Sequence, residues 1–326
     1  MPVIAIEEHW TTPELTAALD GLPGPKRDDS LVLNNMGDNL TRLHDLDDAR
    51  IAMMDEQGVD MQILSVAPPG AGPLSPADAV ALSRALNDTS IAAGQRHPDR
   101  FRTMSTLPLS DPAAAAAELE RAAGMGAVGV MVYGRTHDVP LDDPRYDDLF
   151  AAAVALGQPI FIHPQIPPRA IRDAAYSGFE PMTELALSTF GWGWHIEAAV
   201  AALRLIARGT FDRHPELQIV LGHWGELLLF WEDRIASIAR VAGLQRTMSE
   251  YLRANVSFTC SGMLSPTLLR HAQAVSSPDR LLFSTDYPFQ RPERGDIDAL
   301  LAEFASDSER DLFTHGNAQR LFRIVG

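Results

Sequence analysis

Eight short apolar runs, each bounded by turn residues and separated from the next by polar or helical stretches, constrain this chain more than any other feature. The runs are Val3–Glu7, Met61–Val66, Phe101–Leu107, Gly129–Val132, Pro159–His163, Ile219–Gly222, Val256–Phe258 and Leu281–Thr285. Short apolar runs of this kind read as strands buried on both faces. Between them, stretches such as "DPAAAAAELERAAGMG", "YDDLFAAAVALG" and "IEAAVAALRLIARGTF" place apolar residues three and four apart, and most have a glycine near the end. That spacing and that stop signal describe helices. Strand–helix alternation implies a parallel sheet with crossover helices. Eight strands predict closure into a (β/α)8 TIM barrel, whose usual size is about 250 residues before insertions. The competing doubly wound open sheet would carry G-x-G-x-x-G after its first strand, and the sequence has no such turn there.

The 326 residues are read as one such domain, 1–326, with two long connections. One covers residues 11–45 after the first strand, and the other covers 164–195 after the fifth. Loops of this length in a compact domain tend to be functional. The second, rich in Pro, Gly and aromatic residues, is expected to form a lid or pocket wall.

Composition narrows the chemistry. The formal net charge of −16 is spread along the chain without a basic stripe, which argues against a nucleic-acid partner. No run of about 20 apolar residues is present, so no membrane span is expected. Cys260 is the only cysteine, which excludes an intrachain disulfide and suits a reducing cytoplasm. The first strand begins close to Met1, so no cleavable leader is expected. Lys26 is the only lysine and sits in the loop-like "GLPGPKRDD". Schiff-base catalysis and pyridoxal phosphate attachment both need a lysine in a pocket, and neither has a candidate here. A phosphate-binding P-loop is absent as well.

In a (β/α)8 barrel the functional side chains gather at the carboxyl ends of the strands. Those ends carry Glu7 and His9, then His163, then His223 with Glu226, then Asp286. Any one of them alone reads as a hydrogen-bonded strand end. Together, at one end of one sheet, they read as a metal site, because two imidazoles and two carboxylates suit Zn²⁺ or Mn²⁺. Strand alternation predicts that Glu7 and His9 point the same way and Glu8 the opposite way. Of the other histidines, only His195, ending the aromatic segment "FGWGWH", is placed near the pocket; the rest lie in polar or loop-like surroundings.

The segments "AIEEHW", "FIHP", "ALRLIARGTFDRHPELQIVLGHWGE", "LLFSTDYPF" and "GNAQRLFRI" occur in order over nearly the whole chain. In them the sequence resembles the amidohydrolase superfamily. The similar branch contains gamma-resorcylate (2,6-dihydroxybenzoate) decarboxylase, 5-carboxyvanillate decarboxylase and aminocarboxymuconate semialdehyde decarboxylase. Many members open with His-x-His and hold two metals through a carboxylated lysine on the fourth strand. Here Glu7 stands in place of the first histidine and the fourth strand, "GVMVYG", has no lysine, so the resemblance implies one divalent ion, Zn²⁺ or Mn²⁺. It maps the ligands onto Glu7, His9, His163 and Asp286, with Asp286, His223 and Glu226 as catalytic groups.

The resemblance also implies substrate contacts at Arg234, Arg50, Tyr133, Trp194, His195 and Phe289. Arginine suits a carboxylate because its planar fork binds both oxygens. Arg234 lies eight residues beyond Glu226, roughly 12 Å along a helix. In part of the family this arginine comes from a neighbouring subunit, which implies a homodimer or homotetramer.

The reaction implied is nonoxidative decarboxylation of an aromatic acid with an adjacent hydroxyl group, released as CO₂ after Asp286 protonates the ring carbon. A hydrolase or hydratase using a metal-activated water is the alternative, and the Glu-x-His opening with Arg234 favours the decarboxylase. One departure concerns the substrate: resorcylate-type enzymes read Val-Asn-Gly after strand 4, whereas this chain reads Val132-Tyr133-Gly134. Tyr133 therefore changes the pocket. An inactive barrel serving as a scaffold would be marked by lost ligands, and all four are present.

Overall fold

In the computed structural model, which describes residues 2–324, each of the eight runs contains a strand. They are β1 (Ile4–Trp10), β2 (Met61–Val66), β3 (Phe101–Thr106), β4 (Gly129–Tyr133), β5 (Ile160–His163), β6 (Ile219–Leu221), β7 (Val256–Thr259) and β8 (Leu281–Leu282). Each pairs in parallel with the next in chain order. The sheet curls into a nearly closed barrel with helices between the strands, a (β/α)8 TIM barrel. A small antiparallel pair, Arg135–Thr136 with Val139–Pro140, follows β4 outside the barrel.

Most boundaries differ from the expected ones by no more than one residue, and two differ by more. β1 runs on through Glu7 to Trp10, and β8 pairs only over Leu281–Leu282 rather than to Thr285. The residues after Leu282 leave the ladder because their amides find other acceptors. Phe283 donates to the Phe313 carbonyl at 3.1 Å, Ser284 to the Cys260 sulfur at 3.3 Å, and Thr285 to the Glu8 carboxylate at 2.8 Å. The seam between β8 and β1 is therefore joined by isolated bonds, Ile6 N–H to the Phe283 carbonyl at 3.2 Å and His9 N–H to the Tyr287 carbonyl at 2.6 Å.

The barrel interior is a closed apolar layer. Ile4, Ile6, Ile63, Met104, Met131, Phe161, Val220 and Leu282 pack together there, and Ala318, Phe322 and Ile324 plug the amino-terminal end. A Cβ at Gly129 would lie 2.9 Å from the Phe322 ring, so the plug depends on glycine at that position. A larger apolar layer fills the space between strands and helices. Helices start where the sequence supplies a cap. Ser75 and Asp111 accept from the amides of Asp78 and Ala114, each with proline at the first helical position. Gly58 and Gly157 end their helices in the left-handed conformation. Among the described residues no helix is long and apolar enough to cross a membrane.

The two long connections are built rather than slack. The first contains helices Pro13–Asp20 and Asn39–Leu43 before the helix Asp48–Gln57, and the second contains Arg169–Ala175 and Pro181–Ser188 before the helix Gly193–Ala207. Both reach the carboxyl end of the barrel, where Leu33 and Met36 from the first and Phe190, Trp192 and Trp194 from the second line one cavity.

Candidate metal centre and active site

The opening strand is where local sequence and site first meet. Ile4 and Ile6 face the barrel interior, so strict alternation would turn Glu7 outward. Instead the register slips by one residue between Ile6 and Glu8, and Glu7 adopts φ 74°. This β-bulge inserts one residue and resets the phase of the strand. Glu7 and His9 then share the inner face, as the alternation argument expected, but only because the alternation is interrupted.

The inner set comes together at the bottom of the cavity. Ligand atoms of Glu7, His9 and His163 all lie within 4.8 Å of one another. Glu7 Oε1 is 3.4 Å from His163 Nε2, and His9 Nε2 is 3.3 Å from Asp286 Oδ1. His163 Nδ1–H donates to the Pro164 carbonyl at 2.6 Å, which leaves the Nε2 lone pair free, the second-partner arrangement usual for metal-bound imidazole. His9 Nδ1 is fixed by the Ser65 hydroxyl at 3.2 Å.

Buried polar atoms are almost always hydrogen-bonded. Here Glu7 Oε1 and His9 Nε2 are both buried with no partner, and both point at the same spot. Burial, then Asp286 nearby, pushes Glu7 well above the usual carboxylate range. Burial, then the charge of Arg50, takes His9 down to about 3, and burial with His9 beside it takes His163 well below the usual imidazole value. Neutral imidazoles and crowded carboxylates with orphaned lone pairs are what a divalent cation relieves. The residues present fit one such ion.

Above this set lies a second cluster. Glu226 is buried and accepts from two imidazoles, His195 Nδ1 at 2.6 Å and His223 Nδ1 at 2.8 Å. His195 Nε2 meets the Phe190 carbonyl at 3.1 Å, and His223 Nε2 is 4.0 Å from Asp286 Oδ2. Burial alone would raise Glu226, but His223 and His195 outweigh it and hold the carboxyl at about 2. His195 is drawn down by burial and further up by its bond to Glu226, for a net rise. Asp286, between the two clusters, is raised to about 7, chiefly by burial.

The turn carrying His223 and Glu226 is unusual. His223, Trp224, Gly225, Glu226 and Leu227 all have positive φ, and four of them are not glycine. Such conformations persist only where surroundings over-determine them. The buried Trp224 supplies that hold, donating to the Met263 carbonyl at 2.8 Å and stacking on Phe313. Gly222, just before the turn, leaves no room for a side chain: a Cβ there would lie 2.9 Å from Ser261 Oγ and 3.2 Å from Glu7 Oε2.

The remaining expected contacts divide. Trp194, His195 and Phe289 line the cavity, with Phe289 5.5 Å from the His9 ring and Trp194 6.3 Å from the His163 ring. Tyr133 is buried edge-on behind His163 at 5.8 Å, not on the cavity surface. Arg50 does not reach the cavity, contrary to its expected role as a substrate contact. It is fully buried, donating to the carbonyls of Asp45 and His9 and to Gln62 Oε1, with its guanidinium 4.7 Å from the Tyr287 ring centre. Backbone oxygens of the wall consume its donors. Arg234 is exposed on the helix Glu232–Val241 and lies outside the cavity of its own chain.

Three site residues escaped the sequence reading. Ser261 donates to Glu7 Oε2 and accepts from the His223 amide at 3.0 Å, and Thr259 bonds Ser261 at 2.6 Å. Ser65 is the third. The available signal was a polar residue at every second position along β7 and just past its end, in "SFTCS".

A single-ion centre at the mouth of a (β/α)8 barrel, under a cavity of about 560 Å³, defines a metal-dependent barrel enzyme. The sequence pattern of the family described as Amidohydrolase matches residues 10–324. Gamma-resorcylate decarboxylase of Rhizobium radiobacter is 32% identical, over 99% of this chain and 98% of its own. The solved 5-carboxyvanillate decarboxylase of Novosphingobium aromaticivorans, with bound manganese and 3-methoxy-4-hydroxy-5-nitrobenzoic acid, superposes with a TM-score of 0.90 at 30% identity, covering 99% of this chain and 97% of that one. The dihydroxybenzoic acid decarboxylase of Polaromonas sp., with manganese and 2-nitroresorcinol, gives 0.83 at 32% identity, covering 99% and 97%. This chain belongs to the amidohydrolase family, and these relatives are decarboxylases.

Proposed function

We propose that this chain is a metal-dependent nonoxidative decarboxylase of a hydroxyaromatic carboxylic acid. The observation that carries the reading is the convergence of Glu7, His9, His163 and Asp286 beneath an aromatic-walled cavity. When bound there, a divalent ion supplies a Lewis acid for the oxygens of a phenol and its adjacent carboxylate. Manganese is preferred to zinc because two similar solved decarboxylases hold it.

The residues then divide the work. Asp286, 3.3 Å from His9 and 4.0 Å from His223, is placed both to take and to give a proton. It accepts the phenolic proton and returns it to the ring carbon that bears the carboxylate. That carbon becomes tetrahedral, its bond to the carboxylate breaks, the electron pair restores the ring, and CO₂ leaves. His223, 4.0 Å from Asp286 and anchored by Glu226, faces the same acid. Phe289 and Trp194 flank the ring and fix its plane, an orientation effect. The outer wall, Leu33, Met36, Phe190, Trp192 and Met263, offers no charge to a second polar substituent and favours acids whose remaining ring positions are apolar.

Among the described residues no lysine or arginine lines the cavity, and Arg234 is exposed beside Phe230 and Trp231, themselves 71% and 51% exposed. We assign Arg234 to the site of a neighbouring copy in a homo-oligomer, where its guanidinium would meet the substrate carboxylate. Manganese-loaded protein, screened for CO₂ release over hydroxybenzoates and sized by light scattering, tests the reading. CO₂ and the matching phenol in equal amounts are expected. Hydrolysis products without CO₂ from any acid would overturn it.

A further inference from the structure

Behind the metal centre the barrel wall holds a polar chain that the chemistry above does not use. Glu8 is fully buried and turned away from the cavity. Its carboxylate accepts from the Thr285 amide at 2.8 Å, from the Thr285 hydroxyl, and from Gln62 Nε2 at 3.2 Å. Gln62 Oε1 accepts in turn from Arg50 Nη1 at 3.1 Å, and Arg50 donates onward to the His9 carbonyl. His9 N–H donates to the Tyr287 carbonyl at 2.6 Å, and the Arg50 guanidinium covers the Tyr287 ring. The chain thus closes on itself through Glu8, Thr285, Tyr287, His9, Arg50 and Gln62.

Among the described residues, this loop of contacts sits at the one junction of the barrel with no strand ladder. Other neighbouring strands are held by parallel pairing, whereas β8 and β1 share no ladder among the described residues. Two groups must nevertheless keep their spacing across that junction: His9 on β1 and Asp286 beyond β8, 3.3 Å apart. Asp286 follows Thr285 directly and has φ 62°, a backbone state that neighbours must enforce.

We infer that Glu8 is a positioning residue. It replaces the missing ladder between β8 and β1 and thereby holds Asp286 against His9, while Gln62 and Arg50 extend the clamp to the His9 carbonyl. The inference rests on the proposed function only for what Asp286 does; the clamp itself is a property of the metal centre.

Two variants test it in manganese-loaded protein. Glu8→Gln keeps the shape and one acceptor oxygen but puts an amide where the second acceptor stood; Thr285→Val removes the hydroxyl and leaves the amide. Supporting partners of metal sites usually matter by about 10–100-fold in affinity or activity. Glu8→Gln is therefore expected to stay folded, bind one manganese, hold KM within about threefold and lose about 10–100-fold in kcat. Its Mn(II) electron paramagnetic resonance spectrum should depart from that of the parent, and Thr285→Val should move both readouts less in the same direction. A folded Glu8→Gln with parental kcat and parental spectrum overturns the inference, even if its melting temperature falls. Should Glu8→Gln not fold, Thr285→Val and Gln62→Leu carry the same two readouts, and no change in either overturns the clamp. If the parent releases no CO₂ from any acid, the proposed reaction fails, and the manganese spectra still decide the clamp.

Discussion

Two clusters in one cavity use the same residue types to opposite ends. In the lower cluster, Glu7 Oε1 and His9 Nε2 have no hydrogen-bond partner, and Glu7, His9 and His163 are each driven toward neutrality by burial. In the upper cluster, Glu226 sits between His195 and His223, satisfied by both and held ionised at about 2. A histidine–carboxylate cluster is therefore not a metal site by composition alone. What separates the two is whether the hydrogen-bonding capacity is already spent. The lower set needs a cation from outside; the upper set supplies its own.

That contrast can be broken from either side. The largest effect is expected from His163→Ala, which removes a ligand whose second nitrogen is already committed to Pro164. Bound manganese, measured by metal analysis after dialysis, should fall from one equivalent to near zero, and turnover with it. Asp286→Asn should behave differently, because it ends the proton transfer while leaving an oxygen at the same place. Manganese should be retained and kcat should fall by about 10²–10⁴-fold. Retained decarboxylation would remove Asp286 from its role.

Glu226→Gln is expected to be milder still in kcat, about 10–100-fold, with manganese unchanged. It also carries a pH signature. The folded value of His195 is raised above its ordinary 6.5 by Glu226, so the stability of that pair is fully present below about 6.5 and is lost as pH rises through the raised value. The gap in melting temperature between parent and Glu226→Gln should narrow with rising pH, reflecting roughly 1–3 kcal/mol for a charged hydrogen bond. A gap that widens would assign the proton to the wrong partner.

Much of this was legible in the sequence, for physical reasons that can be named. The strands were readable because walls buried on both faces must be apolar over their whole length, and reading only their carboxyl ends collected Glu7, His9, His163, His223, Glu226 and Asp286. Residues whose role depends on contacts between distant segments were not readable. Arg50 looks like any charged helix residue in "DDARIAMMDEQ", yet its helix lays it against the carbonyl of His9, 41 residues away. Ser261 lies past a strand whose visible apolar core ended at Phe258. The early end of β8 was hidden too, since "LLFST" is apolar enough to pair throughout, and only the competing acceptors at Phe313, Cys260 and Glu8 draw it away.

The slipped register at Glu7 has a consequence for anyone moving this motif elsewhere. A single strand here must mesh with a greasy interior below and a hydrophilic mouth above, and one extra residue acts as the gear tooth that lets both halves engage. Grafting Glu-Glu-His onto a regular barrel strand would present the leading carboxylate to the helices outside. Deleting Glu7, the one residue between Ile6 and Glu8, would restore regular pairing and leave His9 at the mouth without its carboxylate neighbour, while the lower half of the strand stays undisturbed.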